Sequence, residues 1–381
     1  MSKRRGPHEG SIYQRKSDNR WVGQLDMGYV ETSQGRRRRY RSVYGATRGD
    51  VAERFTKLLR EQHTGTLTTA GRETVGTYAA SWLGEKSGLR PSTRRVYGWI
   101  IQRHLIPEIG TLRLEKLTPA DVRRMLRRRA DAGLSPRRVH HFRAVLRAML
   151  AQAVRDGLIG RNVAALSDAV RVPEHETRVF TPEQARSFLA VIQGDRLEAL
   201  YGVVLALGLR QSEALGLRWQ DVELDGRELH VVNGLQRIDG ALRLIPPKTR
   251  RSRRTINLPD VAVTALRSHR TSQLEERLLA GGRWQDTGHV FTTSVGTPLD
   301  GTAVTHRFQR LLAEAGLPRL RFHDLRHTAA TLLLVQGVPA RVVMDILGHS
   351  SITLTMNTYA HVLPSLRREA ADAMDRVFAG P

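Results

Sequence analysis

Two stretches without apolar periodicity divide this chain and rule out a single hydrophobic core running its whole length. TGTLTTAGR, residues 64 to 72, is rich in Thr and Gly, and VRVPEHET, residues 170 to 177, sets a Pro inside a polar run. Segments of this composition read as connectors. At about 100 to 200 residues per domain, a chain of 381 residues is expected to hold two to four domains. The expected organisation is a domain over residues 1–65, a linker over 66–74, a second domain over 75–169, a linker over 170–177 and a third domain over 178–381.

The three parts differ in hydrophobic period. GSIYQRKSDNRWVGQLDMGY alternates apolar and polar residues around Ser17, Asp18 and Asn19, a hairpin signal. RRRRYRSVYG reads as a third strand. ATRGDVAERFTKLLREQ then has helical spacing, with Val51, Phe55, Leu58 and Leu59 on the apolar face. Between the connectors, four helices are expected. The first is amphipathic over Val75 to Leu83. The second is capped by Ser92, turns Val96, Trp99, Ile100 and Leu105 inward and stops at Pro107. The third begins at Thr118-Pro119 and the fourth at Ser135-Pro136, each with the cap residue and first-turn proline that favour helix entry. The last part reopens at Thr181-Pro182. It continues through one apolar helix over VVLALGLRQSEALGLRWQDV, then short strands with Gly turns, then helices, with Gly348 ending VPARVVMDIL. The fold class is therefore multidomain and mainly α with small β elements: a three-stranded sheet plus helix, a helical bundle, and a mixed α/β domain.

Charge points to a polyanionic partner. Lys and Arg number 61 against 37 Asp and Glu, a formal charge of +24, and such an excess repels itself unless something anionic offsets it. Residues 75 to 173 carry 19 basic against 7 acidic side chains, net +12, whereas residues 174 to 381 carry 26 against 22, net +4. A basic domain ahead of a nearly balanced one suggests that the first grips nucleic acid and the second acts on it. Arg36, Arg37, Arg38 and Arg39 on the third strand, and Arg94, Arg95, Arg137, Arg138 and Arg143 on the helices, are the candidate DNA contacts, because guanidinium forks match phosphate oxygens. The plainer reading is a solvated face or a charged strand edge. No apolar run approaches the ~20 residues needed to cross a bilayer, and no signal pattern follows Met1. A soluble protein of the cytoplasm, associated with the nucleoid, is expected, with no membrane partner. The chain has no cysteine, so covalent chemistry must use oxygen or nitrogen.

Cutting a DNA strand requires fixed cations aimed at the oxygens of the attacked phosphodiester. Arg210 in LGLRQSEALGLRW and Arg326 in HDLRH suit that task, and His323 lies one helical turn before Arg326. Lys248 sits between two expected strands, where it could protonate a leaving oxygen. His349 follows Gly348, and Tyr359 comes ten residues later. A free phenol has a pKa of about 10 and needs cations or a base nearby to attack at neutral pH. Taken singly, each has a plainer role: Arg210 with Glu213 as a structural ion pair, Lys248 as part of a basic loop, Tyr359 as a packing residue.

Jointly these segments resemble the tyrosine recombinase, or phage integrase, family. LGLRQSEALGLRW looks like its first-arginine motif, PKTRRSRRTINLP like its lysine hairpin, FHDLRHTAATLLL like its His-x-x-Arg helix, and ILGHSSITLTMNTYAHV like its second-histidine and tyrosine segment. The span from about 75 to 173 is similar to the family's core-binding domain, and residues 1–65 to the arm-binding domain of integrases. The resemblance implies Tyr359 as nucleophile, Arg210 and Arg326 on the scissile phosphate, Lys248 as proton donor to the 5′-oxygen, His323 as acid-base partner of the tyrosine, His349 as hydrogen-bond donor to the phosphate, and Glu213 as an orienting residue. It implies no cofactor and no metal, in keeping with the lack of a P-loop and of two-metal carboxylate clusters. It further implies double-stranded DNA with core and arm attachment sites, a homo-tetramer on that DNA, and a host DNA-bending protein and an excisionase as accessory partners. Leu366, Ala370, Met374 and Phe378 form an apolar stripe after Pro364 that either packs on its own domain or docks on a neighbouring protomer.

Three tasks fit this reading. The leading one is an integrase that inserts and excises a phage or other mobile element. A dimer-resolving recombinase would share the chemistry, but such enzymes usually begin directly with the core-binding domain. A non-catalytic DNA-binding regulator would not need Arg210, Arg326 and Tyr359.

Overall fold

The computed structural model describes residues 11–32, 35–63, 72–168, 171–173, 178–247 and 252–348, together with 371, 374, 375 and 378. Contacts divide the chain into two units, Met1–Glu174 and His175–Pro381.

The first unit opens with β1 (Ser11–Gln14), β2 (Trp21–Thr32) and β3 (Gly35–Gly45), an antiparallel sheet in sequential order. Ser11 faces Gln24, and Trp21 faces Gly45. Asn19 takes a positive φ of 59° in the turn, a conformation that Asn tolerates better than most residues. Helix α1 (Arg48–His63) lays Phe55 and Leu58 against Leu25 of β2, the buried centre of this small layer. Each such side chain is worth about 1.5 to 3 kcal/mol on burial.

A separate apolar cluster holds the helices that follow. They are α2 (Val75–Glu85), α3 (Pro91–Ile100), α4 (Ile106–Ile109), α5 (Pro119–Asp131) and α6 (Pro136–Arg155). Thr118 accepts from the Asp121 amide at 3.2 Å, and Asp121 accepts from the Thr118 amide at 3.1 Å, a reciprocal cap that satisfies two donors at the helix start.

The second helix departs from expectation in three respects. Arg90, not Ser92, is its N-cap, because Pro91 occupies the first helical position, where its missing N–H costs nothing. Pro107 does not stop it: residues Ile101–Leu105 form a π turn and the rod continues through α4. The wider turn accommodates the carbonyl that a proline would otherwise strike. Ile100 and Leu105 are buried, and Trp99, though 45% exposed, turns inward against Phe142 and His104; Val96 is exposed at 40%, so the inward stripe is narrower than the spacing implied.

The second unit contains α7 (Pro182–Val191), α8 (Glu198–Leu207), α9 (Gln211–Leu215), β4 (Val222–Glu223), β5 (Glu228–Val231), β6 (Gly234–Ile238), β7 (Ala241–Ile245), β8 (Arg254–Asn257), α10 (Asp260–Ala280), α11 (Gly301–Glu314), α12 (Asp324–Val335) and α13 (Ala340–Leu347). One small sheet runs β4-β5-β8, and β6 and β7 form a separate hairpin. Phe188 meets Phe308 edge-on at 5.5 Å and Tyr201 packs beside both, the aromatic centre of the core. What reads in sequence as one apolar helix from residue 203 to 222 is two, broken at Gly208, and that break positions the site. No helix among the described residues is long and apolar enough to cross a membrane.

Candidate active site

Gly208 closes α8 in the left-handed conformation, φ 63° and ψ 33°. A Cβ there would lie 2.4 Å from Leu347 Cδ2, so both backbone and space demand glycine. The chain then runs extended through Arg210, which sits at the N-cap of α9. Glu213 reaches back: its Oε2 accepts from the Arg210 amide at 3.0 Å and its Oε1 from Arg210 Nη1 at 2.5 Å. The ion pair that an Arg three residues before a Glu suggests is thus present, but it uses only one edge of the guanidinium.

Arg326 lies in the first turn of α12, is 1% exposed, and donates from Nη1 to the Gly208 carbonyl at 2.7 Å and from Nη2 to the Leu347 carbonyl at 2.6 Å. Arg210 Nη2 donates to the next carbonyl, Gly348, at 3.3 Å. The two arginines therefore meet at consecutive carbonyls of the α13 C-terminus. These carbonyls have no intrahelical partner and carry the negative end of the helix dipole, which favours cations. Gly348 ends α13 in the left-handed conformation, as the sequence implied.

The start of α12 is held from behind. Asp324, 3% exposed, accepts from the Arg321 amide at 2.7 Å and from Arg321 Nη2 at 2.8 Å. Thr328 accepts from the Phe180 amide at 3.1 Å and donates to the Asp324 carbonyl at 2.9 Å. His323 occupies the N-cap position. Burial, and then the charges of Arg326 and Arg210, push its imidazole below the ordinary histidine value, so it is neutral at pH 7 and able to accept a proton. His327 stands edge-on to His323 at 5.0 Å. Burial first, and His323 second, lower its pKa to about 4.

One residue of this cluster escaped the reading of the sequence. Arg254 on β8 is 7% exposed at its side chain and donates from Nη2 to Glu213 Oε2 at 3.0 Å and from Nε to the Ile346 carbonyl at 2.5 Å. Burial alone would raise the Glu213 carboxyl, but Arg254 and Arg210 outweigh it and hold it below the usual carboxylate value. The available signal was strand alternation: Arg254 shares its phase with the buried Ile256, unlike the neighbouring Arg253.

Lys248, His349 and Tyr359 lie outside the described residues, as do Leu366 and Ala370 of the tail stripe. Met374 and Phe378 of that stripe are exposed. Of the candidate DNA contacts, Arg36, Arg37, Arg38 and Arg39 are exposed on β3, with Arg36 and Arg38 at 4.4 and 5.4 Å from the Tyr29 ring. Arg95, Arg137 and Arg138 are exposed as well. Arg94 and Arg143 are half-buried with donors already engaged: Arg94 bonds the carbonyls of Leu83, in the last turn of α2, and of Lys86, its cap, and Arg143 holds Ser167.

The arrangement is a buried cationic cluster with an ordered carboxylate and a neutral imidazole, suited to gripping a phosphodiester and taking a proton from a nucleophile. Comparison with known proteins gives the family. Residues 178–365 match the family described as Phage integrase family, and residues 74–128 match the Phage integrase, N-terminal SAM-like domain. An integrase of Saccharopolyspora erythraea is 30% identical, over 99% of this chain and 98% of that protein. A protein named tyrosine recombinase XerC-like, of Caldanaerobacter subterraneus subsp. tengcongensis, is 28% identical over 89% and 92%. In fold, the chain is similar to the Tn1549 transposon integrase solved with transposon right-end DNA, with a TM-score of 0.69 at 24% identity, over 81% of this chain and 100% of that one.

Proposed function

The chain belongs to the phage integrase family, and on that premise we propose that Tyr359 is the nucleophile with which this enzyme, a tyrosine site-specific recombinase, cuts and rejoins DNA. The Tyr359 phenol oxygen attacks the scissile phosphorus and gives its proton to His323. The P–O5′ bond breaks, and the departing 5′-oxygen takes a proton from Lys248. The products are a 3′-phosphotyrosyl link and a free 5′-hydroxyl. Attack by the 5′-hydroxyl of another strand reverses these steps and releases the tyrosine. The bond energy of the cut strand stays in the phosphotyrosine, so rejoining needs no nucleotide.

The observation that carries this reading is the meeting of Arg210 and Arg326 on adjacent carbonyls immediately before His349. Two fixed guanidiniums and the His349 donor would stabilise the charge that builds on the non-bridging oxygens. Glu213 orients Arg210, and His323 is neutral as a proton acceptor must be.

The substrate we assign is double-stranded DNA carrying core attachment sites, bound by the basic helices, and arm sites, bound by the arginine-bearing sheet. The task is insertion and excision of a phage or other mobile element by a tetramer assembled on DNA, aided by a host bending protein and an excisionase. Arg36–Arg39 on the N-terminal sheet favour this over dimer resolution, which needs no arm site.

A suicide substrate nicked beside the crossover point tests the chemistry. Wild type should trap a covalent protein–DNA species on its cognate core site, and Tyr359→Phe should not. An adduct surviving in Tyr359→Phe places the nucleophile elsewhere, and none in wild type on a confirmed site refutes the enzyme reading. Removing residues 1–70 should spare core-site cleavage and abolish integration; unchanged integration contradicts the arm-site assignment.

A further inference from the structure

The last two carbonyls of α13 and that of its cap, Gly348, each receive a different arginine: Ile346 from Arg254, Leu347 from Arg326 and Gly348 from Arg210. The function proposed above gives Arg210 and Arg326 to the phosphate and leaves Arg254 without a role, although Arg254 shares the Glu213 carboxylate with Arg210. It spends Nη2 on Glu213, Nε on Ile346 and Nη1 on the Ser252 carbonyl at 3.2 Å.

We propose that Arg254 is a positioning residue for DNA cleavage, acting through Glu213 to set the aim and the available charge of Arg210. The proposal rests on the reading of Arg210 as a phosphate-binding residue. Glu213 is 6% exposed and shared. A buried carboxylate with Arg210 as its only cationic partner would draw that guanidinium onto itself and cancel the charge meant for the phosphate. Arg254 supplies a second, buried cation to the same Oε2 that accepts the Arg210 amide. The cluster of Arg210, Arg254 and Glu213 then keeps a net positive charge before DNA arrives. Its second anchor, Ile346, fixes β8 to the helix end that holds Arg210 and Arg326, so the Arg254 guanidinium stays beside the Glu213 carboxylate. A guanidinium can span Glu213, Ser252 and Ile346 at once because its donors fan out in one plane; an ammonium offers a single point.

The test compares cleavage of two suicide substrates by the full-length protein. One carries an ordinary scissile phosphate, the other a methylphosphonate, in which a methyl group replaces one non-bridging oxygen and removes the charge that Arg210 offsets. Arg254→Met should slow phosphate cleavage about 100-fold, the scale of a small misplacement at a reacting centre, with core-site DNA affinity unchanged within about twofold. The methylphosphonate should recover most of that loss, as it should for Arg210→Ala, because the misdirected charge is no longer needed. A defect of folding alone would slow both substrates equally.

Arg254→Met leaves Glu213 with one cationic partner and could destabilise the unit. Arg254→Lys is the second variant: it should keep the thermal midpoint, slow phosphate cleavage about tenfold, and show the same relative recovery. Wild-type rates for Arg254→Lys on both substrates, or equal slowing of both by either variant, overturn the proposal. If Arg210→Ala itself shows no recovery, the phosphate-binding role of Arg210 is what fails. If Arg210→Ala recovers and Arg254→Met does not, only the role of Arg254 fails.

Discussion

Replacing Gly208 by Ala strikes the joint on which the cluster is built. The residue sits at φ 63°, and its new Cβ would stand 2.4 Å from Leu347 Cδ2 and 3.5 Å from Ala329 Cβ. Holding an L-residue in the left-handed conformation costs about 1 to 2 kcal/mol, and forcing a methyl into a filled core costs about 1 to 3 kcal/mol more. Together they predict a loss of roughly 2 to 5 kcal/mol. For a unit of this size each kcal/mol moves the melting midpoint by about 2 to 4 °C, so calorimetry should show that transition fall by at least about 4 °C. Leu347 must move, and its carbonyl carries Arg326 while the Gly208 carbonyl carries the other edge of the same guanidinium. Cleavage should therefore fall by more than the lost folded fraction accounts for. The second change Leu347→Ala in the Gly208→Ala background should relieve the clash but not the backbone strain, giving a coupling of about 1 kcal/mol or more between the two sites. A midpoint within 1 °C of wild type, or strict additivity of the two changes, would refute the assignment of this contact as the limiting one.

Other outcomes follow from the same geometry. Arg326→Ala orphans the Gly208 and Leu347 carbonyls and removes a phosphate donor, so suicide-substrate cleavage should drop by about 100-fold or more while core-site binding persists. With His323 shifted below the ordinary histidine value, its base form predominates at pH 7. The cleavage rate should stay flat above neutrality and fall only on acidification, and His323→Gln should remove that acidic limb in a stopped-flow profile. His327 has a folded pKa of about 4 against about 6.5 unfolded. The unfolded chain thus takes up the proton first, and the His327 contribution to stability is present above pH 6.5 and lost as pH falls toward 4. His327→Gln should flatten the melting midpoint over that window. Arm-site affinity should fall steeply with salt, and Arg36→Ala with Arg38→Ala should reduce the logarithmic salt slope by about two if each meets a phosphate.

The reach of the sequence follows the range of the forces involved. Caps such as Thr118-Pro119 and Thr181-Pro182 were legible because a helix start is satisfied within a few residues: Thr181 accepts from the Gln184 amide at 3.2 Å. The hairpin around Asn19 and the left-handed stop at Gly348 are equally local. The family was legible because its motifs are written in residue types and their order. The stop placed at Pro107, the inward aim of Val96 and the unbroken helix through Gly208 were misread. Each depends on what packs against the chain: a π turn absorbs one proline, and the side chain of Leu347 leaves no room at one glycine. Arg254 lay unnoticed in a run of arginines because its value comes from Glu213 and Ile346, both distant in sequence. The chemistry of this protein was determined by composition and motif. That Arg210, Arg254 and Arg326, from three separate segments, meet at the carbonyls of one helix end was decided only by the tertiary structure, because the partners lie far apart in the chain.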